Sequence, residues 1–112
     1  MDISTRFEGG IPVLVLGGRL NQATADALHS AAMDAADQAE KALIVDMGGV
    51  DFIASVGIRA LIRPSQSLAM KGGKLAIANL NPKMSEFFSL TGLDQTFSVF
   101  ETVADAAARI GS

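Results

Sequence analysis

The hydrophobic pattern of this chain changes period several times. Ile11-Pro12-Val13-Leu14-Val15-Leu16 is an unbroken apolar run rich in β-branched residues, and it reads as a buried strand. Gly9-Gly10 precedes it, so a tight turn should pair it with a first strand over residues 3–8. From Asn21 the period becomes helical. Nine alanines lie between Asn21 and Leu43, and Ala is the best helix former. Ala25, Leu28, Ala32, Ala35, Ala36 and Ala39 share one face, while Asp26, Asp34, Asp37 and Glu40 share the opposite one. Asn21 is placed to cap this helix, since its side-chain oxygen can accept from a first-turn amide.

Leu43-Ile44-Val45 is a short apolar strand ending at Asp46, and residues 47–53 read as a loop. A helix over about 56–70 follows, with its apolar stripe at Ile58, Leu61, Ile62, Leu68 and Ala69. Pro64 should kink it or shift a turn, because proline brings no amide donor. Gly72-Gly73 closes that helix, and residues 74–78 form the next strand. Asn81-Pro82 opens another helix with proline at its first position. Met84, Phe87, Phe88 and Thr91 form the inner face and Gly92 the end. Residues 96–100 form the last strand. Thr102 and Asp105 then open a final helix burying Val103, Ala106, Ala107 and Ile110. The order β-β-α-β-α-β-α-β-α predicts an α/β fold: a mixed, mostly parallel five-stranded sheet with four helices. With 112 residues, the whole chain, 1–112, is expected to form a single domain.

Composition narrows the chemistry. There is no Cys and one His, which excludes disulfides, thiolate catalysis, Cys-based metal centres and any two-His catalytic pair. A net charge of −3 argues against nucleic acid as a partner and against anionic lipid. No basic-then-apolar leader opens the chain, and no apolar run approaches the ~18 residues of a membrane span. A cytoplasmic location with no direct membrane insertion is therefore expected. Met70-Lys71-Gly72-Gly73-Lys74 has only the outline of a phosphate loop and is accounted for as a helix end with its turn. His29 reads as a partly exposed helix residue touching only Asp26, Ala25 or Ala32. No catalytic residue, cofactor or metal site is expected, and the chain does not read as an enzyme.

One segment stands apart: Asp46-Met47-Gly48-Gly49-Val50-Asp51-Phe52-Ile53-Ala54-Ser55-Val56-Gly57-Ile58. It delivers Ser55 to a helix start. Read structurally, Ser55 is an N-cap worth roughly 1 kcal/mol. Read functionally, its hydroxyl is exposed, the amides of Val56, Gly57 and Ile58 lie free beside it, and Gly57 leaves the approach open. A phosphate there would be held by those amides and the positive end of the helix dipole. The outward face of the same helix carries Val56, Arg59, Arg63, Gln66 and Met70. It is either an ordinary mixed surface or a docking face beginning at Ser55. In the second case the negative charge of a phosphate would oppose an acidic partner.

The run Val50 to Leu61 resembles the central signature of the STAS domain, the sulfate-transporter and anti-sigma-factor-antagonist family. Gly18-Arg19-Leu20-Asn21, Leu43-Ile44-Val45-Asp46, Lys71-Gly72-Gly73-Lys74-Leu75 and Leu90-Thr91-Gly92-Leu93 with Phe97 resemble its other motifs in order. The resemblance implies the same fold and a partner switch: an anti-sigma factor antagonist that binds an anti-sigma factor serine kinase and so releases a sigma factor. Phosphorylation of Ser55 by that kinase switches it off, and a serine phosphatase resets it. It places Asn21 where the family usually has Asp, and Asp46 near the same surface. Ala54 stands where many phosphorylated members carry Asp or Ser, and Val56 where a small residue is usual. The expected partner-binding set is Asn21, Asp46, Ala54, Val56, Gly57, Arg59, Arg63 and Met70. The alternative it implies is a non-switching subunit or scaffold bound to a membrane transporter or signalling assembly.

Overall fold

In the computed structural model, which describes residues 1–110, strands β1 (Asp2–Glu8) and β2 (Ile11–Leu20) form the expected antiparallel hairpin. The last two residues of the expected 1–112 domain lie outside the described residues. Gly9 and Gly10 make the two-residue turn with φ of +57° and +83°, the left-handed pair that a hairpin of matching twist requires. Helix α1 (Gln22–Gln38) leads to β3 (Ala42–Ile53), helix α2 (Ser55–Met70) to β4 (Lys74–Ala78), and helix α3 (Pro82–Thr91) through a one-turn α4 (Leu93–Thr96) to β5 (Ser98–Phe100). Helix α5 (Val103–Ile110) follows. There are thus five helices among the described residues rather than the four expected. Gly92 ends α3 in the left-handed conformation, φ +77°. The chain then makes one more helical turn before Phe97 enters the core, so the last strand starts at Ser98.

The sheet runs β1-β2-β3-β4-β5, with β2 to β5 parallel and neighbouring in chain order. Every parallel crossover therefore steps in the same direction. Right-handed crossovers of that kind place their helices on one face, and the core divides accordingly. Leu14, Leu16, Leu43, Val45, Leu75 and Ile77 point into the larger layer with Leu28, Leu61 and Phe88 of α1, α2 and α3. The alternate strand positions Val13, Ile44, Ala76 and Ala78 meet Val103 and Ala106 of α5 on the other side. Small residues on β4 let the short α5 lie close.

The expected loop over 47–53 is strand. β3 continues to Ile53 because β2 continues beside it to Leu20, with Gly17 opposite Gly49 and Leu20 opposite Ile53. Register shifts between Val15 and Gly17 and between Gly18 and Arg19 mark bulges, which admit extra residues and increase twist. Gly48 and Gly49 belong to the bulged part of a two-strand ribbon extending beyond β4, whose pairing with β3 stops at Asp46 and Ala78.

Helix α2 contains Pro64 without being divided. Proline at 64 deprives the Ala60 carbonyl of its usual donor four residues on. His29 of α1 stands in, with Nδ1 3.3 Å from that oxygen. His29 thus reaches across to α2, where the sequence placed it only among its own helix neighbours. Lys71, just past α2, extends its Nζ to the carbonyls of Ala36 at 2.6 Å and Ala39 at 2.8 Å. It supplies both donors and positive charge to the C-terminal end of α1.

Candidate functional site

On the face covered by α1, α2 and α3, these helices begin along the carboxyl edge of the parallel strands, and their caps differ. Asn21 caps α1: its Oδ1 accepts from the Ala23 amide at 3.0 Å, and its own amide donates to Thr24 Oγ1 at 3.0 Å. Asn81 caps α3, accepting from the Met84 amide at 2.8 Å. At the start of α2 the N-cap is Ala54, whose side chain cannot cap. Ser55 is one residue further in than expected. It is the first residue of the helix, so it does not act as N-cap, and its hydroxyl makes no hydrogen bond among the described residues. The Gly57 and Ile58 amides are taken by the Ala54 carbonyl, at 2.9 and 3.2 Å. The first-turn amides without an acceptor among the described residues are those of Ser55 and Val56.

The two neighbouring helix starts are fixed to one another. Ala54 donates its amide to the Leu20 carbonyl at 2.8 Å, continuing the β2–β3 ladder by one rung. Asn21 and Ser55, each one residue beyond that rung, therefore lie side by side at the sheet edge. Gly57 seals the corner. A Cβ there would run into the Leu20 side chain and lie 3.0 Å from the Leu20 carbonyl oxygen. Gly57 is buried. Its missing side chain makes room for β2 inside the protein and does not open a route to the Ser55 hydroxyl.

The other expected partner-binding residues divide by burial. Arg59, Arg63 and Met70 are exposed, Met70 by 89%. Val56 is half-buried against the main core, not open to solvent as its outward placement implied. Ala54 is half-buried at the rung just described. At 100° per residue, Ser55, Gln66, Arg59, Met70 and Arg63 fall within a stripe about 80° wide, running roughly 22 Å along α2.

Asp46 is a different case. It is 9% exposed and accepts from the Gly48 amide at 2.9 Å and Asn79 Nδ2 at 3.1 Å. Asn81 Nδ2 likewise donates to the Val50 carbonyl at 3.0 Å. Both side chains occupy backbone groups of β3 on the side where β4 has ended, a way of blunting an exposed strand edge. The structure gives Asp46 this edge-sealing role.

One feature of this surface went unread in the sequence. Arg19 and Phe52 stand opposite one another on the protruding ribbon, and the Arg19 guanidinium lies 4.2 Å from the Phe52 ring centroid. Phe52 is 37% exposed, a large aromatic on the surface three residues before Ser55. With residues 47–53 taken as loop, no register existed to bring these two together. Among the described residues there is no cluster of three or more His, Cys, Asp or Glu able to hold a metal, and no helix long and apolar enough to cross a membrane.

The STAS domain family model matches residues 2–106. The chain belongs to the STAS domain family. It is 33% identical to the anti-sigma-F factor antagonist RsfB of Mycobacterium tuberculosis, over 93% of this chain and 84% of that protein. An anti-sigma factor antagonist from Mycobacterium paratuberculosis superposes with a TM-score of 0.86 at 27% identity, covering 99% of this chain and 94% of the other. The Bacillus cell fate determinant SpoIIAA, solved in its phosphorylated form, shares the fold with a TM-score of 0.69 at 20% identity, covering 97% and 99%. These relatives match nearly end to end, so this STAS domain is similar to small antagonist proteins across their length.

Proposed function

We propose that this STAS protein is an anti-sigma factor antagonist whose unphosphorylated form docks on an anti-sigma serine kinase through the edge carrying Ser55, and that phosphorylation of Ser55 switches docking off. The carrying observation is the Ser55 hydroxyl: exposed, free of hydrogen bonds among the described residues, and held at the start of α2 by the rung between Ala54 and Leu20. A structural serine at a helix start would be spending its oxygen on a cap, and this one does not. The name of the 33%-identical relative supports the antagonist role, and SpoIIAA in a phosphorylated form supports the modification.

The docking surface in this reading is the helix stripe Ser55, Arg59, Arg63 and Met70 with the Arg19–Phe52 pair beside it. Phe52 supplies an apolar anchor and the arginines supply charge, a composition suited to an interface centre. A phosphate on Ser55 adds about two negative charges, and burying them unpaired against an acidic partner costs several kcal/mol.

The test has two parts. The protein is incubated with ATP and the serine kinases of its own organism, and sites of added phosphate are located by fragment mass spectrometry. Binding of the responding kinase is then compared for Ser55→Ala and Ser55→Asp. A single phosphate on Ser55, with Ser55→Ala binding and Ser55→Asp at least tenfold weaker (about 1.4 kcal/mol), is the expected result. Equal binding by both variants refutes the switch.

A further inference from the structure

The basic residues of α2, Arg59 and Arg63, have no ion-pair partner among the described residues. Helix α2 is 16 residues long and contains no Asp or Glu, in a protein of net charge −3. Arg59 and Arg63 are exposed, and among the described residues neither reaches a carboxylate; the ion pair found there is Arg6 with Glu8, at 3.0 Å on the distant hairpin. Arg59 is the residue four positions after Ser55. Side chains at that spacing are helix neighbours, with Cβ atoms about 5–6 Å apart, and Arg63 lies one further turn away.

We propose that Arg59 is the internal partner of phosphate on Ser55. Resting on the phosphorylation reading above, this adds a second action to the switch. The phosphoryl oxygens accept from the Arg59 guanidinium across one helical turn, a charge-assisted contact that the planar donor fork favours. Modification then both adds negative charge and withdraws Arg59 from the docking stripe. One event removes an attraction for an acidic partner surface and creates a repulsion. The same pairing holds the phosphate along α2, so the backbone needs no rearrangement. Arg59 is a positioning residue for the phosphate and does not take part in its transfer.

The experiment does not depend on any kinase. Phosphoserine is installed at position 55 during synthesis of the full chain by codon reassignment. The second ionisation of the phosphate is then followed by phosphorus NMR against pH. It is compared in the otherwise wild-type protein and in Arg59→Gln, Arg59→Lys and Arg63→Gln. The other charged groups at this end, Arg19 and Asp51 on the ribbon and Asp26 in the early turns of α1, are common to all four proteins. A guanidinium beside the phosphate favours the dianion, so Arg59→Gln should raise the midpoint by about 0.3 pH unit or more, the equivalent of an exposed ion pair at this spacing. Arg59→Lys should retain part of the effect, and Arg63→Gln should move the midpoint by less than a third as much. Equal midpoints for the wild type and Arg59→Gln overturn the proposal, as does an equal response to Arg63→Gln, which would mean a diffuse field. If the pairing is found but no kinase modifies Ser55, the switch reading fails and the geometry stands, so the two are separable.

Discussion

Replacing His29 by Ala should destabilise the protein by an amount that depends on Pro64. The Ala60 carbonyl loses its intrahelical donor to the proline, and His29 Nδ1 replaces it at 3.3 Å. Ala60 is buried, so water cannot readily take over. A net hydrogen bond contributes about 0.5–1.5 kcal/mol, and orphaning a buried acceptor adds to that loss. Against it stands the better helix propensity of Ala, worth up to ~0.7 kcal/mol. The single variant should therefore lose about 0.5–1 kcal/mol. In a Pro64→Ala background residue 64 again has an amide for the Ala60 oxygen, so removing His29 should cost nothing or become slightly favourable. The propensity change is common to both backgrounds and cancels, leaving a coupling of about 1 kcal/mol. The chain has no Trp or Tyr, so far-ultraviolet circular dichroism is the probe. In urea the difference appears as a midpoint shift of roughly 0.5 M. If His29→Ala costs the same in both backgrounds, within the ~0.3–0.5 kcal/mol of ordinary additivity, the bridge between the helices contributes nothing and His29 does not stand in for the donor that Pro64 lacks.

Two further outcomes follow from the caps. Because Ala54 and not Ser55 is the N-cap of α2, Ser55→Ala should leave the thermal midpoint almost unchanged, whereas Ala54→Asp should raise stability by about 1 kcal/mol, or roughly 4 °C, through a new cap and a favourable dipole contact; a loss in Ser55→Ala matching a lost cap would refute the assignment. Lys71→Met should cost about 1–2 kcal/mol in calorimetric unfolding, since it strips donors and charge from the last carbonyls of α1 while keeping the aliphatic stem, and a neutral result would show that the contact seen at 2.6 Å is not stabilising.

How far the sequence spoke depended on whether the deciding interaction was local. Asn21 and Asn81 announce their helices because a cap bonds to an amide two or three residues away, and the Gly9-Gly10 turn is equally self-contained. The strand–helix order and the small-residue face of α1 were legible for the same reason, since periodicity is a local signal. What escaped was set by partners distant in sequence. Residues 47–53 become strand only because β2 overruns its own apolar run to pair with them. His29 matters through Pro64 and Ala60, Lys71 through Ala36 and Ala39, and Arg19 through Phe52. The one-residue error at Ser55 has the same origin: the rung from Ala54 to the Leu20 carbonyl decides where α2 begins. At Gly57 the residue type was noticed, but its reason lay in Leu20, thirty-seven positions earlier.

Topology then explains why this edge suits a macromolecular partner. In open α/β sheets the usual ligand crevice forms where the strand order reverses and helices part to opposite faces. Here the parallel strands follow one another in order without reversal. Helices α1, α2 and α3 pack together on one face, and their first turns align along one edge without separating to enclose a cleft. The ribbon of β2 and β3 pushes that edge outward and carries Arg19 and Phe52 on its surface. The resulting surface is protruding, with an apolar anchor at Phe52, exposed arginines and, among the described residues, an uncommitted hydroxyl at Ser55. A small molecule gains little on such ground, because affinity for small ligands comes from enclosure. A protein surface can cover it, and can be sensitive to a phosphate at its centre. Rigidity is part of the same arrangement: with Gly57 closed on Leu20 and His29 completing the helix around Pro64, Ser55 is presented from a fixed backbone, so a charge added there changes what the surface can meet without first having to change the fold.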